Sequence, residues 1–297
     1  MTLEQLRIFV AVAEREHVTR AAADLNLTQS ATSAAVAALE HRYDTRLFDR
    51  VGRRIELTEA GRLFLIEARG VLARAAAAET LLVDLAGLKR GALALAASQT
   101  IGNYWLPPLM QRYRERHPGV ALSLRIGNTE QVANWVHETS ADLGLIEGEI
   151  DDPALGVRQV AEDEMLLVVG PRHPWARRAS VTPKELPDSP WVLREPGSGT
   201  RSIFEGWLTS VGLPPERLTV NLELPSNEAV RGAVEAGAGA TVISRLAVAA
   251  MLRAGSLVTV HLPLPKRRFY ALRHKERHIT HAEQAFSALL GEFPEEP

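Results

Sequence analysis

The sequence predicts an α/β protein that carries a small, mostly helical domain at its N-terminal end. Three observations predict this. Residues 1–60 hold successive stretches with helical spacing and then a short, arginine-bearing hairpin. From Thr58 to about Leu88 the chain carries one long helical pattern without proline. From residue 91 onward, short apolar runs such as GALALAAS, VALSLRIG and LGLIEG alternate with helical segments, the pattern of a parallel sheet covered by helices.

The bulk properties bound this reading. A chain of 297 residues can bury more than one core, and 46% hydrophobic with 24% charged residues is a globular balance. With no cysteine there is no disulfide, thiolate metal site or cysteine nucleophile, which fits a reducing, cytoplasmic setting. The formal charge of -2 is neutral on nucleic acid, because a DNA binder needs only a local basic patch. The amphipathic opening, with Glu4, Arg7 and Glu14, is unlike a secretion signal, and no window has the composition of a membrane span.

Taken in order, Leu3 to Glu16 reads as a helix with Leu6, Phe9, Val10 and Ala13 on one face. A second helix opens with Thr19 as a candidate cap. Ala21, Ala22 and Ala23 keep it slim, Leu25 anchors it, and Asn26 tolerates the turn that ends it. Thr28 caps a third helix, in which Thr32, Val36, Leu39 and Tyr43 form one stripe. Gln29, Ser30 and Ser33 lie on another face, short or planar groups suited to reading base edges in a major groove. An ordinary helical hairpin with a polar outer face fits this spacing equally well. The hairpin that follows favours the DNA reading. Arg46, Arg50, Arg53 and Arg54 surround Leu47-Phe48, and Gly52 permits a reversal, giving a short wing whose guanidinium groups suit phosphates.

Thr58-Glu59-Ala60-Gly61 opens the long helix. Phe64, Ala68, Val71, Ala75, Ala78, Leu82 and Leu85 recur by four and three, and Glu67 and Arg74 flank them. The spacing predicts a coiled-coil seam joining two copies, with packing on its own domain as the alternative. Lys89-Arg90-Gly91 reads as a hinge. Beyond it come strand GALALAAS, a helix from Tyr104 to His117, strand VALSLRIG, a helix from Thr129 to Thr139 and strand LGLIEG. A second set follows: EMLLVVG, WVLRE, a helix from Thr200, LTVNLEL, a helix from Asn227 and ATVIS. The chain then runs through LVTVHLP and RFYALRH to a last helix from Thr280. Two lobes with a crevice between them are expected.

Open α/β sheets take ligands at the carboxyl ends of their strands. Three such ends carry small polar residues that also begin helices: Ser98-Gln99-Thr100, Gly127-Asn128-Thr129 and Gly197-Ser198-Gly199-Thr200-Arg201. Exposed N–H groups and the positive end of a helix dipole favour an anion there, although ordinary caps look the same. Glu147 and Ser244 also stand at strand ends, and Glu147 opposes an anion unless it pairs with Arg201 or Arg245. Enzyme patterns fail. Gly237-Ala238-Gly239 follows a helix and precedes a strand, the wrong order for a dinucleotide fingerprint, and His137-Glu138 lacks a second histidine. No serine elbow accompanies His173, His261, His274, His278 or His281. A small-molecule binding protein or enzyme on the α/β part remains the alternative class.

LEQLRIFVAVAE, TRAAADLNLTQSATSAAVAALE, RLFDR and LTEAGR together closely resemble the LysR-type transcriptional regulators, and the resemblance extends over the whole chain. Asp44 stands where the family usually has glycine, and Ala35 where a longer polar residue is common. The resemblance implies a winged helix-turn-helix DNA-binding domain over 1–60, a dimerising linker helix and hinge over 58–90, and a two-lobed, periplasmic-binding-protein-like effector domain over 91–297. Lobe 1 is expected over about 91–161 and 267–297 and lobe 2 over about 162–266, with crossings near Glu162 and Lys266. Thr28, Gln29, Ser30, Thr32, Ser33, Arg50, Arg53 and Arg54 are the expected DNA contacts. Ser98, Gln99, Thr100, Asn128, Thr129, Glu147, Ser198, Gly199, Thr200 and Arg201 are the expected effector contacts. No metal or cofactor is implied. The implied partners are promoter DNA, further copies in a homodimer or homotetramer, RNA polymerase and a small anionic effector. SQTIGNYWLPPL and EPGSGTR are similar to regulators of sulfur assimilation and carbon fixation.

Overall fold

A computed structural model describes residues 1–51, 54–85, 91–148 and 150–291, leaving aside the side chains of 50, 51, 54, 77, 80, 81 and 83–85. The chain divides into two compact units after residue 86. The first unit contains α1 (Leu3–Arg15), α2 (Val18–Asp24), α3 (Gln29–Tyr43), β1 (Phe48–Val51), β2 (Arg54–Leu57) and α4 (Glu59–Leu85).

Each boundary has a local cause. Thr2 and Gln5 form a capping box at the start of α1, and Glu16 ends it in the left-handed region. Thr19 does not cap α2. His17 holds the cap position, without a side-chain bond, so Thr19 already lies inside the helix. Asn26 turns the chain at φ 55°. Thr28 Oγ1 then accepts the Ala31 N–H at 3.2 Å to cap α3. Asp44 ends α3 in the left-handed region at φ 47°, without the glycine usual in the related family.

Leu6, Phe9, Leu39, Leu47 and Ala68 form one small core, and Ile8, Val12 and Ala21 another. Glu40 Oε1 accepts the N–H groups of Leu47 at 2.7 Å and Phe48 at 3.1 Å, fixing the entry of the wing against α3. β1 and β2 pair antiparallel from Phe48 with Leu57 to Val51 with Arg54. Gly52 and Arg53, between them, lie outside the described residues.

The predicted seam on α4 splits into two parts. Phe64 packs on Phe9, ring centroids 4.9 Å apart, and Ala68 is buried in the same core. These two residues serve their own domain because α4 lies along α1. Val71 and Leu82 are 43% and 68% exposed, Ala78 is exposed and Ala75 half-buried. The side chain of Leu85 lies outside the described residues, as do Lys89 and Arg90 of the expected hinge. Leu63 and Ile66, absent from the predicted seam, are also exposed.

The second unit contains β3 (Gly91–Ser98), α5 (Leu106–Arg116), β4 (Val120–Gly127), α6 (Thr129–His137), β5 (Leu143–Glu147), β6 (Leu155–Asp163), β7 (Met165–Val169), β8 (Pro190–Arg194), α7 (Gly199–Ser210), β9 (Thr219–Leu224), α8 (Asn227–Glu235), β10 (Ala240–Ser244), α9 (Arg245–Ala254), β11 (Val258–Val260), β12 (Arg267–His274) and α10 (His281–Gly291). Lobe 1 is the sheet β4-β3-β5-β12-β6, and lobe 2 the sheet β11-β7-β10-β8-β9.

The sheets are mixed, where the alternation of elements suggests parallel ones. β3 runs parallel to β4 and β5, but β12 runs antiparallel to β5 and β6. In lobe 2, β8 runs parallel to β9 and β10 while β7 opposes β10 and β11. The reversed strands are those next to a crossing between lobes, where no covering helix turns the chain round. The crossings fall between β6 and β7 and just before β12. β6 and α9 have no counterpart in the sequence reading, since LGVRQVAED is a polar edge strand and α9 follows ATVIS without a break. A π-helical turn, Ile101–Trp105, stands where the helix from Tyr104 was expected, and α5 starts only at Leu106.

Gly61 meets the wing closely: an added Cβ would clash with the Leu47 carbonyl oxygen and lie 2.9 Å from Leu57 Cδ2. Gly61→Ala is expected to destabilise the first unit by about 1–3 kcal/mol, as overpacking does. Chemical denaturation followed by circular dichroism checks this, and an unchanged midpoint would refute it.

Candidate functional site

Two surfaces have the chemistry of a site, one on each unit. On the first unit, Gln29, Ser30 and Ser33 are exposed in the first turns of α3. Gln29 and Ser33 are four residues apart and therefore share a face. Thr28 is exposed too, but its hydroxyl is engaged as the cap and lies 3.1 Å from Ser30 Oγ. Thr32 corrects the predicted set. It is fully buried, and its Oγ1 donates to the Thr28 carbonyl at 3.1 Å, so it packs inward and cannot reach a base. Arg53, and the side chains of Arg50 and Arg54, lie outside the described residues.

On the second unit, both lobes contribute strand ends and helix starts to one crevice. Arg267, the first residue of β12, lies at its centre with its side chain 0% exposed. Its Nε donates to Asp163 Oδ2 at 2.9 Å, and Nη2 reaches the same oxygen. Nη1 donates to Thr200 Oγ1 at 2.9 Å and to Glu147 Oε1 at 3.4 Å. Ser98 Oγ donates to Glu147 Oε2, Thr129 Oγ1 to the Glu147 carbonyl at 3.1 Å, and Ser244 Oγ to Asp163 Oδ1 at 3.1 Å. Burial raises the Glu147 carboxyl above its ordinary range, and Arg267 opposes that shift. Gly199 opens α7 directly against this group, where an added Cβ would lie 2.6 Å from Thr129 Oγ1.

A second network joins the lobes. Arg194, also buried, donates from Nε and Nη2 to the Glu195 carboxylate at 2.7 and 2.9 Å and from Nη1 to Asn227 Oδ1 at 2.7 Å. Asn227 in turn donates from Nδ2 to Thr100 Oγ1 and from its backbone N–H to Gln99 Oε1, both at 3.1 Å. Gln99 Nε2 donates to the Pro225 carbonyl at 2.7 Å, and Tyr104 Oη to Glu228 at 2.5 Å. Asn128 Nδ2 donates to Glu195 Oε1 at 3.4 Å. Beside the Arg267 group lies a cavity of ≈ 470 Å³, lined among others by Thr129, Glu130, Gly148, Ile150, Gly199, Ser202, Ile203, Lys266, Arg268 and Tyr270.

Of the predicted crevice residues, Ser98, Thr129, Glu147, Gly199 and Thr200 meet around Arg267. Gln99, Thr100 and Asn128 belong to the second network, and Ser198 is the buried residue preceding α7. Arg201 is not in the crevice. It binds Glu205 at 2.7 Å, Glu223 at 2.6 Å and the Arg194 carbonyl at 3.0 Å, all within lobe 2. Glu147 therefore pairs with neither Arg201 nor Arg245, whose partner is Glu164.

Arg267, Asp163, Arg194, Glu195 and Asn227 were missed. One signal for Arg267 is present in the sequence: it alternates with Phe269 and Ala271, both buried, so the period of two places it on the inward face. Gly239, part of the dinucleotide-like GAG, has a different duty: at φ 142° it abuts the Pro190 carbonyl. Among the described residues no cluster suits a metal ion, and no helix is long and apolar enough to cross a membrane.

Comparison with known proteins gives the context. Residues 3–62 match the model of the bacterial regulatory helix-turn-helix protein, lysR family, and residues 86–294 that of the LysR substrate binding domain. The HTH-type transcriptional regulator YeiE of Escherichia coli K12 is 37% identical over 288 residues, 96% of each chain. The RuBisCO operon transcriptional regulator of Allochromatium vinosum is 32% identical over 96% of this chain and 94% of that one. Full-length CbnR, solved with its target DNA, shares the fold at TM-score 0.71, with 21% identity over 98% of this chain and 99% of that one. The regulatory domain of Synechocystis CcmR, solved with 2-PG, matches at TM-score 0.63 and 25% identity over 68% of this chain and 96% of that one. The two family models together span nearly the whole sequence, and the chain belongs to the LysR family of transcriptional regulators, which are not enzymes.

Proposed function

We propose that this regulator binds promoter DNA as a dimer or tetramer through Gln29, Ser30, Ser33 and the wing arginines, and responds to a small anion bound between its lobes. The cavity beside Arg267 carries the effector reading. Its ≈ 470 Å³ suits a small ligand, and Lys266, Arg268 and the N-terminal end of α7 border it. Arg267 is already neutralised by Glu147 and Asp163, and Lys266 is paired with Glu162 at 3.2 Å, so Arg268 is the bordering cation that faces an incoming anion. Glu130 tempers that cation and limits how much negative charge the site accepts. The CcmR regulatory domain solved with 2-PG supports a small-molecule effector in this architecture. Val71, Ala78 and Leu82, exposed along α4, support pairing through that helix. A regulator acting on promoters works in the cytoplasm, with RNA polymerase as the partner that reads out its effect.

Ser33→Ala is expected to weaken specific DNA binding by about 1 kcal/mol while barely changing non-specific binding. Arg53→Ala is expected to weaken both and to lower the salt slope by about 1. Electrophoretic mobility shifts with operator and competitor DNA over a salt series check this pair, and equal losses would contradict the assigned roles. Thermal shift with carboxylates, sulfur oxyanions and sugar phosphates tests the anion. Silence across all three, with unchanged DNA binding, would overturn it. Arg268→Ala should weaken whichever anion responds.

Arg267→Met would leave two buried carboxylates without their cation and is expected to destabilise the second unit by about 3–5 kcal/mol. The loss should shrink on acidification, because burial already raises the Glu147 carboxyl and its protonation removes uncompensated charge. A deficit independent of pH in urea denaturation would refute this account.

A further inference from the structure

Two consecutive aromatic residues of the π-helical turn Ile101–Trp105 are anchored in different lobes. Trp105 packs edge-on against Phe269 in lobe 1, ring centroids 5.6 Å apart. Tyr104 packs instead against the lobe 2 core that holds Val192, Val230, Ile243 and Val248. Its Oη donates to Glu228 Oε1 at 2.5 Å and accepts from Arg231 Nη1 at 3.2 Å, both residues of α8. Arg231 Nη1 also donates to the Ala247 carbonyl of α9 at 2.8 Å, which ties the phenol to a second lobe 2 helix. Burial and the neighbouring Glu228 push the Tyr104 hydroxyl well above its ordinary range, so it remains a donor across physiological pH.

The turn is π-helical because an α-helical ladder has little to gain here. The Leu106 N–H donates to the Ile101 carbonyl, five residues back, instead of to Gly102. Pro107 and Pro108 follow, and neither has an N–H for the Asn103 or Tyr104 carbonyl that an α-helix would pair with it. Conversion to α-helical bonding drops one residue from the turn and rotates what precedes Leu106 by roughly 100°. Tyr104 cannot make that rotation with its ring in the lobe 2 core. We propose that the π-helical turn is a conformational switch with Tyr104 as its latch. With the ring docked in lobe 2 the turn stays π-helical, as here. Separation of the lobes withdraws Tyr104, and the turn rewinds into the start of α5, whose outer face carries the exposed Pro107, Pro108 and Gln111. Lobe spacing is thereby converted into a rotation at the surface of lobe 1. The device rests on the two-lobed fold and is independent of which effector binds.

The chain has no cysteine, so spin labels at Glu276→Cys in lobe 1 and Glu216→Cys in lobe 2, both exposed positions, are unique. Double electron–electron resonance on the full chain, diluted with excess unlabelled protein, reads the distance between the lobes of single chains. Tyr104→Phe keeps the ring and loses both hydroxyl bonds. It is expected to raise the population of a second, longer distance about ten-fold. Glu228→Ala, at an exposed position, should act in the same direction and serves if Tyr104→Phe does not fold. Pro107→Ala combined with Pro108→Ala restores two donors to the α-helical ladder. Tyr104 is intact in this variant, yet the longer population should rise again, by about three-fold or more. An unchanged distribution in both Tyr104→Phe and Glu228→Ala would overturn the latch. A shift there with none in the proline variant would overturn the switch.

Discussion

The second unit depends on one buried charge group: Arg267 between Glu147 and Asp163. The three side chains are at most 2% exposed, and they come from the last residue of β5, the last residue of β6 and the first residue of β12. Removing such charges from water costs several kcal/mol each, so the arrangement persists only because every donor and acceptor is used. Ser98, Thr200 and Ser244 supply the remaining partners, and among the described residues no buried side-chain nitrogen or oxygen is left without a hydrogen bond. Satisfying Arg267 therefore fixes where β5 and β6 end, where β12 begins and where the chain crosses between lobes.

The same group explains why small hydroxyl residues gather at these strand ends. Ser98, Thr129 and Thr200 are at most 6% exposed, and each hydroxyl already has a protein partner. An effector reaching them must exchange bonds with them, and only its differential affinity for an altered arrangement can shift the balance between states. The open volume lies instead beside them, against Lys266, Arg268, Ile203 and Tyr270. The hydroxyls shape the floor of the crevice, and the cations stand along its edge.

Much of the fold was legible because local rules decided it. Thr28, Asn26 and Asp44 stop and start helices by means that depend on a few neighbouring residues. Strand periods locate most of both sheets. Thr32 was misread because its position serves two patterns at once: it sits beside Ser33 in a polar run, but its spacing to Val36 and Leu39 belongs to the core. On α4 the repeat is ambiguous for a similar reason: Phe64 and Ala68 pack against α1, and a four-three spacing does not say whether the covering partner is α1 or a second chain. The candidate site was less legible. Strand-end hydroxyls announce a crevice, but their partners Arg267, Asp163 and Asn227 lie 67 to 127 residues away in sequence and are joined only by topology.

Charge placement in the crevice follows from this separation in sequence. Arg267 takes its counterions from the two strands that flank β12, so losing either one disturbs the lobe 1 sheet, and it is suited to permanence. Arg194 takes its counterion from the adjacent residue, so losing that contact moves one side chain and leaves β8 in place. Two buried arginines in one crevice thus differ in what it costs to change their partner. The first holds the lobes to their strand ends. The second is held by the residue next to it in the chain, and that contact is the easier of the two to change.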